Sequence, residues 1–342
     1  MSKRPSVSMV FKDYTYAQKA YEDGFRGAIY DPEANQRLNQ LIESRGGFAF
    51  AEQAMTTSFL AGSGEQRISL PFIAVEKAYP GCFPGAAQTI GDCVSQSTAK
   101  AIWASFVCEI LHGDNAQRSE LPSLSSEAIK NGCISSEAIY WYRGYGGDGW
   151  ICAEAAEVCL KECGLFLRKP YPDLDLDLTE YSGNTAHLYG SKSPPKAITE
   201  IGQAHLVETT TVCRSFESCR DMLANGYCIS SCGSEAFESV RDKYGIANRS
   251  RKSWAHAIAV IGCDDRPSTV SREGSGLLLF CNSWGKDWIS GNRVIDGMNY
   301  EIPQGAFWAR WEDVSNRYYI AMSSSKGWPA KQMPDWGLEG IV

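Results

Sequence analysis

The chain has 342 residues, of which 44% are hydrophobic and 21% are charged, a balance typical of a globular protein. Acidic residues number 40 against 33 basic ones, which gives a formal net charge of −7. Because no block of Lys and Arg is present to neutralise phosphates, we expect no nucleic-acid partner.

The N-terminal sequence and the cysteines together predict a non-secretory protein. The first residues lack the apolar run and cleavage site of a secretory signal, and no stretch is apolar enough to predict a membrane span. The 13 cysteines are scattered without a Cys-x-x-Cys pair, which favours a reduced compartment and buried thiols. The spacing of Cys213, Cys219, Cys228 and Cys232 is not that of a zinc site, so neither a metal nor another cofactor is predicted.

The pattern along the chain predicts an extension at residues 1–78, a main domain at 79–322 and a tail at 323–342, in which Trp328 and Trp336 are candidate anchors. Helices are predicted at residues 31–44, 93–111 and 153–163. Strands are predicted at residues 206–212, 227–231, 255–261, 277–281 and 317–321. A helical lobe at about 90–200 followed by a sheet lobe at about 201–322 is an α+β arrangement.

The segment Gly91-Asp92-Cys93 places a cysteine in the first turn of a predicted helix. Free backbone N–H groups and the helix dipole stabilise a thiolate at that position. The negative charge of Asp92 opposes this effect. A partner base is therefore needed before Cys93 can act as a nucleophile.

His256 is the predicted base, because it is one of only four histidines and stands at the mouth of an apolar strand. A second apolar strand leads into Asn282-Ser283-Trp284-Gly285, and the two strands are predicted to form a hairpin. Opposed residues of an antiparallel pair have numbers with a constant sum, which is 538 if Gly262 faces Gly276. His256 and Asn282 have the same sum, so the Asn282 side chain can orient the imidazole and Trp284 can cover their hydrogen bond.

These segments resemble those of the papain-like (C1-type) cysteine peptidases. The matching pieces are Gly91-Asp92-Cys93 with Ser97, His256 with the apolar run to Gly262, and Asn282-Ser283-Trp284-Gly285 with Trp288. Gly146-Gly147 and the run from Cys163 to Pro172 match as well, so the resemblance covers roughly residues 80–320. It implies a two-lobe fold, with the active site in the cleft between the helical lobe and an antiparallel β lobe. It also implies a Cys93–His256–Asn282 triad and substrate-backbone binding by Gly146 and Gly147.

The chain departs from the family pattern close to the nucleophile. Val94 stands where an aromatic residue is usual, and the family's oxyanion-hole glutamine comes one residue earlier than Gln88 does. Gln88 is therefore the candidate for the oxyanion hole, from a displaced position. Ile90 stands where secreted members carry a half-cystine, which again favours a non-secretory setting.

The resemblance implies a cysteine-type peptidase that cleaves polypeptides through a thioester intermediate. Two alternatives stay open. One is a papain-fold structural subunit of a virus or phage particle, with weak or lost activity and with residues 1–78 and 323–342 as arms for assembly partners. The other is an amidase or endopeptidase that acts on cell-wall peptides. The expected location is the cytoplasm or such a particle, and residues 1–78 have a further interpretation as a propeptide-like segment.

Overall fold

The structure is a computed structural model that describes residues 27–45, 47–56, 60–112, 121–144, 147–190, 192 and 194–323. The predicted tail anchors Trp328 and Trp336 lie outside these residues, as does Gly146. No helix in the described part of the chain combines the length and the apolarity needed to cross a membrane.

The α-helices of the described ranges are α1 (Pro32–Ser44), α2 (Ala51–Thr56), α3 (Phe72–Ala78), α4 (Cys93–His112), α5 (Ser126–Lys130), α6 (Ser136–Tyr140), α7 (Cys152–Lys161), α8 (Gly183–Gly190), α9 (Lys196–Gln203), α10 (Phe216–Ala224), α11 (Pro267–Glu273) and α12 (Trp311–Val314). The strands are β1 (Ala28–Ile29), β2 (Ile68–Ser69), β3 (Trp150–Ile151), β4 (Pro170–Tyr171), β5 (Leu176–Asp177), β6 (Thr210–Cys213), β7 (Ile229–Arg241), β8 (Ala247–Asp264), β9 (Leu277–Cys281), β10 (Ser290–Gly291), β11 (Ala306–Arg310) and β12 (Tyr318–Met322). The predicted α+β class is confirmed, with most helices in the first part of the chain and the large sheet in the second.

The large sheet is built from the second half of the chain. Its strand order is β11-β9-β8-β7-β12-β6, and β2 and β10 pair with β8 and β7 at its margins. Every pair along the main path is antiparallel. The long strands β7 and β8 are its central hairpin, and a helical connection through α11 joins β8 to β9.

Helix α4 lies between the helical lobe and the sheet, and packs against both β8 and β7. Almost all of its residues are buried, including polar ones such as Gln96 and Lys100. A helix that is covered all round belongs to the interior, because no face is left to carry solvated side chains. This central position places the N-terminus of α4, and with it Cys93, where the two lobes meet.

A buried ion pair stabilises the helical lobe behind α4. The guanidinium of Arg168 donates to both carboxylate oxygens of Glu137 at 3.0 and 3.2 Å, and its Nε donates to Asn131 O at 2.7 Å. Both charged side chains are almost completely buried. Glu137 Oε1 also accepts from Ser182 N at 3.0 Å, so this pair ties α6 to the segment that precedes α8.

The described residues between 27 and 78 pack on both lobes. Asp31 caps α1 by accepting from the backbone N–H groups of Glu33 and Ala34, which is the helix start that the sequence predicts. Further along, Val212 N donates to Ala49 O at 2.9 Å, and β2 pairs with β8. Ahead of α1, strand β1 pairs in parallel with β3 of the helical lobe.

Candidate active site

Cys93 is the first residue of α4 and is fully buried. Its Sγ accepts a hydrogen bond from the backbone N–H of Ala257, the residue after His256, at 3.5 Å. The N-terminus of the helix contributes free N–H groups and the positive end of its dipole. The position therefore combines two features that favour a thiolate: the helix end and a backbone donor from the sheet lobe, on the residue that follows His256.

Asp92 is less of an obstacle to this thiolate than the sequence suggests. Its carboxyl group is fully buried, and burial, followed by the charge of Glu137, raises the pKa of Asp92 to about 8. The group is therefore mainly uncharged at neutral pH. Its backbone C=O serves the helix start, since it accepts from Gln96 N at 3.0 Å and from Ser95 Oγ at 2.8 Å.

We expect the Asp92→Asn variant to become more stable than the parent as the pH rises. The folded pKa of Asp92 lies above its ordinary value of 3.8, so between about pH 4 and pH 8 the folded state holds a proton that the unfolded state has released. The parent therefore loses stability as the pH rises through this window, by up to about 1.4 kcal/mol per pH unit, whereas the variant has no such loss. Urea unfolding of both proteins at several pH values measures the difference, and a constant difference would contradict the assignment.

His256 and Asn282 lie within hydrogen-bond distance, with 2.7 Å between His256 Nε2 and Asn282 Oδ1. The same Oδ1 atom accepts from Ser283 N at 2.7 Å, which fixes the orientation of the amide. Because Oδ1 can only accept, Nε2 carries the proton, and in the neutral ring Nδ1 is the basic nitrogen. All three side chains of the predicted triad are fully buried.

Trp284 covers the imidazole. The two rings are stacked, with centroids 4.7 Å apart and planes 20° apart. Trp254 packs edge-on against Trp284 at 4.7 Å, and Trp288 does so at 5.4 Å. The apolar cluster around the histidine shields its bond to Asn282 from water, and such shielding strengthens a hydrogen bond.

The predicted strand register is wrong, although the hairpin itself is confirmed. Val260 faces Phe280, which gives a sum of 540, and after a bulge Gly262 faces Leu279 and not Gly276. Continuing the sum of 540 towards the site brings His256 level with Trp284, in agreement with the stacked rings. Asn282 therefore reaches His256 along a diagonal, which long side chains on neighbouring strands can span.

Burial controls the charge of the imidazole in this structure. It lowers the pKa of His256 to about 3, while the hydrogen bond to Asn282 raises it and the charges of Arg317 and Lys100 lower it further. The buried histidine is therefore neutral at physiological pH. A neutral imidazole is the form that accepts a proton from a thiol.

Gln88 lies close to the triad and is fully buried. Its Nε2 donates to Ile90 O at 2.8 Å, its Oε1 accepts from Ser283 Oγ, and its backbone N–H donates to Ser283 O at 2.8 Å. The side chain is thus held between the loop before α4 and the residue after Asn282. Despite its displaced sequence position, Gln88 therefore lies against the residue that follows Asn282.

The segment Gly147-Asp148-Gly149 leads directly into strand β3. Gly147 has a φ of 81°, in the left-handed region that favours glycine, and Gly149 N donates to Gly91 O at 3.1 Å. The extended backbone pairing observed here belongs to the next residues, Trp150 and Ile151, which form β3. Their partner is β1 of the same chain.

Residues 27–30, which we call the covering segment, connect the two lobes beside the site. Gly27 N donates to Ala255 O at 3.1 Å, and Trp150 N donates to Gly27 O at 2.9 Å. A cavity of about 410 Å³ lies beside this segment and is bounded on the sheet side by Gly233, Ala255 and Arg317. The segment thus bonds to backbone groups of both lobes next to His256.

Sequence reasoning missed two features of this site. Arg317 has a fully buried guanidinium whose Nη2 donates to the backbone O of His256 at 2.9 Å. Its position at the mouth of an apolar strand is the same signal that singled out His256. A disulfide joins Cys152 of α7 to Cys232 of β7, across the two lobes, and these residues are 80 apart in sequence. Disulfides are typical of oxidising compartments, which the predicted location did not anticipate.

The comparisons with known proteins find structures of cysteine proteases. The chain is similar to xylellain, a cysteine protease from Xylella fastidiosa, with 16% identity, a TM-score of 0.45 and coverage of 71% of this chain and 84% of that one. It is similar to procathepsin B S9 from Trypanosoma congolense, with 14% identity, a TM-score of 0.42 and coverage of 76% and 78%. It is also similar to procathepsin L 3 of the Tenebrio molitor larval midgut, with 14% identity, a TM-score of 0.38 and coverage of 91% of this chain and 99% of that one. No protein-family model and no curated protein matches the sequence.

The predicted arrangement of a helical part and an antiparallel sheet is present in this chain itself, with α4 packed against the sheet. Identities of 12–16% carry no conclusion about activity, which has to be argued from the side chains of this chain.

Proposed function

We propose that this chain is a cysteine-type peptidase of the papain kind, with Cys93 as nucleophile, His256 as base and Asn282 as the residue that orients the imidazole. One observation carries the proposal. Residues from α4, β8 and the end of β9 converge, with Nε2 of His256 bound to Asn282 Oδ1 and the next backbone N–H bound to Cys93 Sγ. A thiol beside an oriented neutral imidazole is the arrangement required for nucleophilic attack on an amide.

The reaction follows from these groups. His256 takes the thiol proton at Nδ1, and the thiolate of Cys93 attacks the carbonyl carbon of the substrate, whose oxygen becomes negatively charged. Collapse of this intermediate breaks the C–N bond, and His256 gives its proton to the leaving amine. Water then adds to the thioester with His256 again as the base, which releases the acid product and restores the thiol.

Gln88 and the backbone N–H of Cys93 are the proposed donors to the negatively charged oxygen. Ser283 and Ile90 hold the Gln88 amide through both its oxygen and its nitrogen, so its orientation is set before substrate binds. A donor that is already oriented contributes most to the transition state, about 3 kcal/mol in comparable sites.

The proposed substrate is an extended polypeptide. Ala255 O and Trp150 N bind the backbone of Gly27 in this structure, and the same acceptor and donor are available to any extended chain in the cleft. We further propose that the covering segment acts as a propeptide-like inhibitor, because it uses these groups while all three triad side chains are buried. Gly146 and Gly147 remain candidates for further backbone contacts.

A papain-directed epoxide tests the proposed nucleophile. We expect it to label Cys93 alone among the 13 cysteines, and to label it faster once residues 1–29 are deleted. The His256→Ala variant should lose the labelling, because the thiol loses its base. Peptide mapping by mass spectrometry locates the adduct.

Absence of labelling in both the full and the shortened chain, together with a defined oligomer, would favour the structural subunit over the enzyme. Cleavage of cell-wall peptides without cleavage of unfolded polypeptides would instead favour the cell-wall amidase over the peptidase.

A further inference from the structure

Arg317 is anchored beneath the candidate site by four hydrogen bonds. Its Nη2 donates to His256 O at 2.9 Å and to Ser231 O at 3.3 Å, and its Nε donates to Ser231 Oγ at 3.3 Å. Its Nη1 donates to Glu235 Oε2 at 3.2 Å. The side chains of Arg317 and Glu235 are both buried, so the hydrogen bonds fix the position of the guanidinium and Glu235 is its counter-ion.

The backbone next to His256 leaves room for this group. Gly233 lies opposite His256 in the β7–β8 pair, and a Cβ added to Gly233 would lie 2.6 Å from Arg317 Cγ. That distance is far too short for two carbon atoms, so any larger residue at position 233 would displace the arginine. The sheet is therefore built around Arg317 at this point.

One peptide group connects Arg317 to the nucleophile. The C=O of His256 accepts from Arg317 Nη2, and the N–H of the same peptide group, on Ala257, donates to Cys93 Sγ. Hydrogen bonds in a chain polarise one another, and a cation on the oxygen of a peptide makes its N–H a stronger donor. The stronger donor favours the thiolate over the thiol.

We propose that Arg317 is a positioning residue that holds and polarises the His256–Ala257 peptide group and so stabilises the thiolate of Cys93. This inference rests on the proposed peptidase mechanism and deepens it. A purely structural role for Arg317 predicts support of the strand alone, with no effect on the protonation of the thiol.

Other charges also act on the site, and the test has to separate them. The titratable and charged groups around Cys93 and His256 on the packed elements are Asp92, Lys100, Glu235 and Arg317. Burial lowers the pKa of Arg317, while Glu235 and, more weakly, Cys93 raise it, in line with attraction between the guanidinium and both anions. The negative charge of Glu235 therefore offsets part of the positive charge by which Arg317 polarises the peptide group.

Two variants should change the thiol in opposite directions. Arg317→Met removes the cation and its donors, and we expect the apparent pKa of Cys93 to rise by about one unit, an approximately tenfold lower thiolate fraction at a pH below that pKa. Glu235→Gln keeps the shape and removes the competing anion, so the apparent pKa of Cys93 should fall. If Arg317→Met does not fold because Glu235 is left buried and unpaired, the double variant Arg317→Met/Glu235→Gln is compared with Glu235→Gln and should show the same rise.

The pH titration of thiolate ultraviolet absorbance measures this without a substrate. The signal of Cys93 is the difference between each protein and its Cys93→Ser counterpart, which cancels the other thiols and the tyrosines. Opposite shifts support the proposal even in a protein that hydrolyses no peptide, so the two proposals fail separately. Shifts of the same sign in the two single variants, or no shift in folded variants, would overturn the role of Arg317.

Discussion

Replacing Cys93 by serine is expected to abolish peptide hydrolysis. The loss should be about a millionfold, the size found when a comparable triad loses its nucleophile. A serine hydroxyl is a far weaker acid than a thiol, so the imidazole that takes the thiol proton generates far less of the attacking anion from serine. The change from sulfur to oxygen therefore removes the chemistry while leaving the side chain nearly the same size.

The matched control is Cys108→Ser in the same helix. Cys108 is fully buried, and its Sγ lies 3.8 Å from Pro71 O, an acceptor that a serine hydroxyl can also use. We expect this variant to hydrolyse an unfolded protein substrate at nearly the parent rate, within about threefold. Measurable hydrolysis by Cys93→Ser that survives repeated purification would remove Cys93 from the mechanism.

Local sequence patterns predicted the elements with strong boundaries. Asp31-Pro32 fixed the start of α1, and the apolar run of β9 coincides with the predicted strand at residues 277–281. The predicted strand at 227–231 begins two residues ahead of β7, and the predicted strand at 255–261 is only a part of β8. Both β7 and β8 are longer than predicted, because they continue with mostly polar, exposed residues beyond the core. Pairing with a neighbour extends these strands, and apolar periodicity does not record such pairing.

Strand β11 was not predicted. Ala306–Arg310 is short and follows a turn, and its residues become a strand by pairing with β9 at the sheet edge. The connection between the two strands of the predicted hairpin likewise contains α11, which begins at Pro267. Both differences come from tertiary context, which overrides weak local preferences.

The triad was predicted from three separate motifs, and the structure brings His256 and Asn282 within hydrogen-bond distance despite the wrong register. The error arose because the prediction paired Gly262 with Gly276, whereas Gly262 faces Leu279. The bulge between Val260 and Gly262 changes the sum of the paired numbers by only one, and a single sequence does not mark which residues close the pair. The Cys152–Cys232 disulfide was not predicted, because a pairing between lobes depends on how the two lobes pack together.

Deleting residues 1–29 is expected to increase peptide hydrolysis about thirtyfold. The deletion removes β1 and the two backbone hydrogen bonds of Gly27, to Ala255 O and from Trp150 N. Each contributes about 1 kcal/mol, and 1.4 kcal/mol corresponds to a tenfold change in the population of the open cleft. The shortened chain still begins ahead of Asp31, so the cap of α1 is retained.

Two further variants make this expectation specific to the covering segment. A chain that lacks only residues 1–26 keeps β1 and should hydrolyse peptides at nearly the parent rate. Gly27→Pro removes only the N–H that donates to Ala255 O, and should increase the rate about fivefold, the effect of one hydrogen bond. Initial rates on one unfolded polypeptide, compared among chains with the same melting temperature, measure the series. Equal rates for the chains that lack 1–26 and 1–29 would show that residues 27–29 do not inhibit the site, because only the second deletion frees Ala255 O and Trp150 N for a substrate.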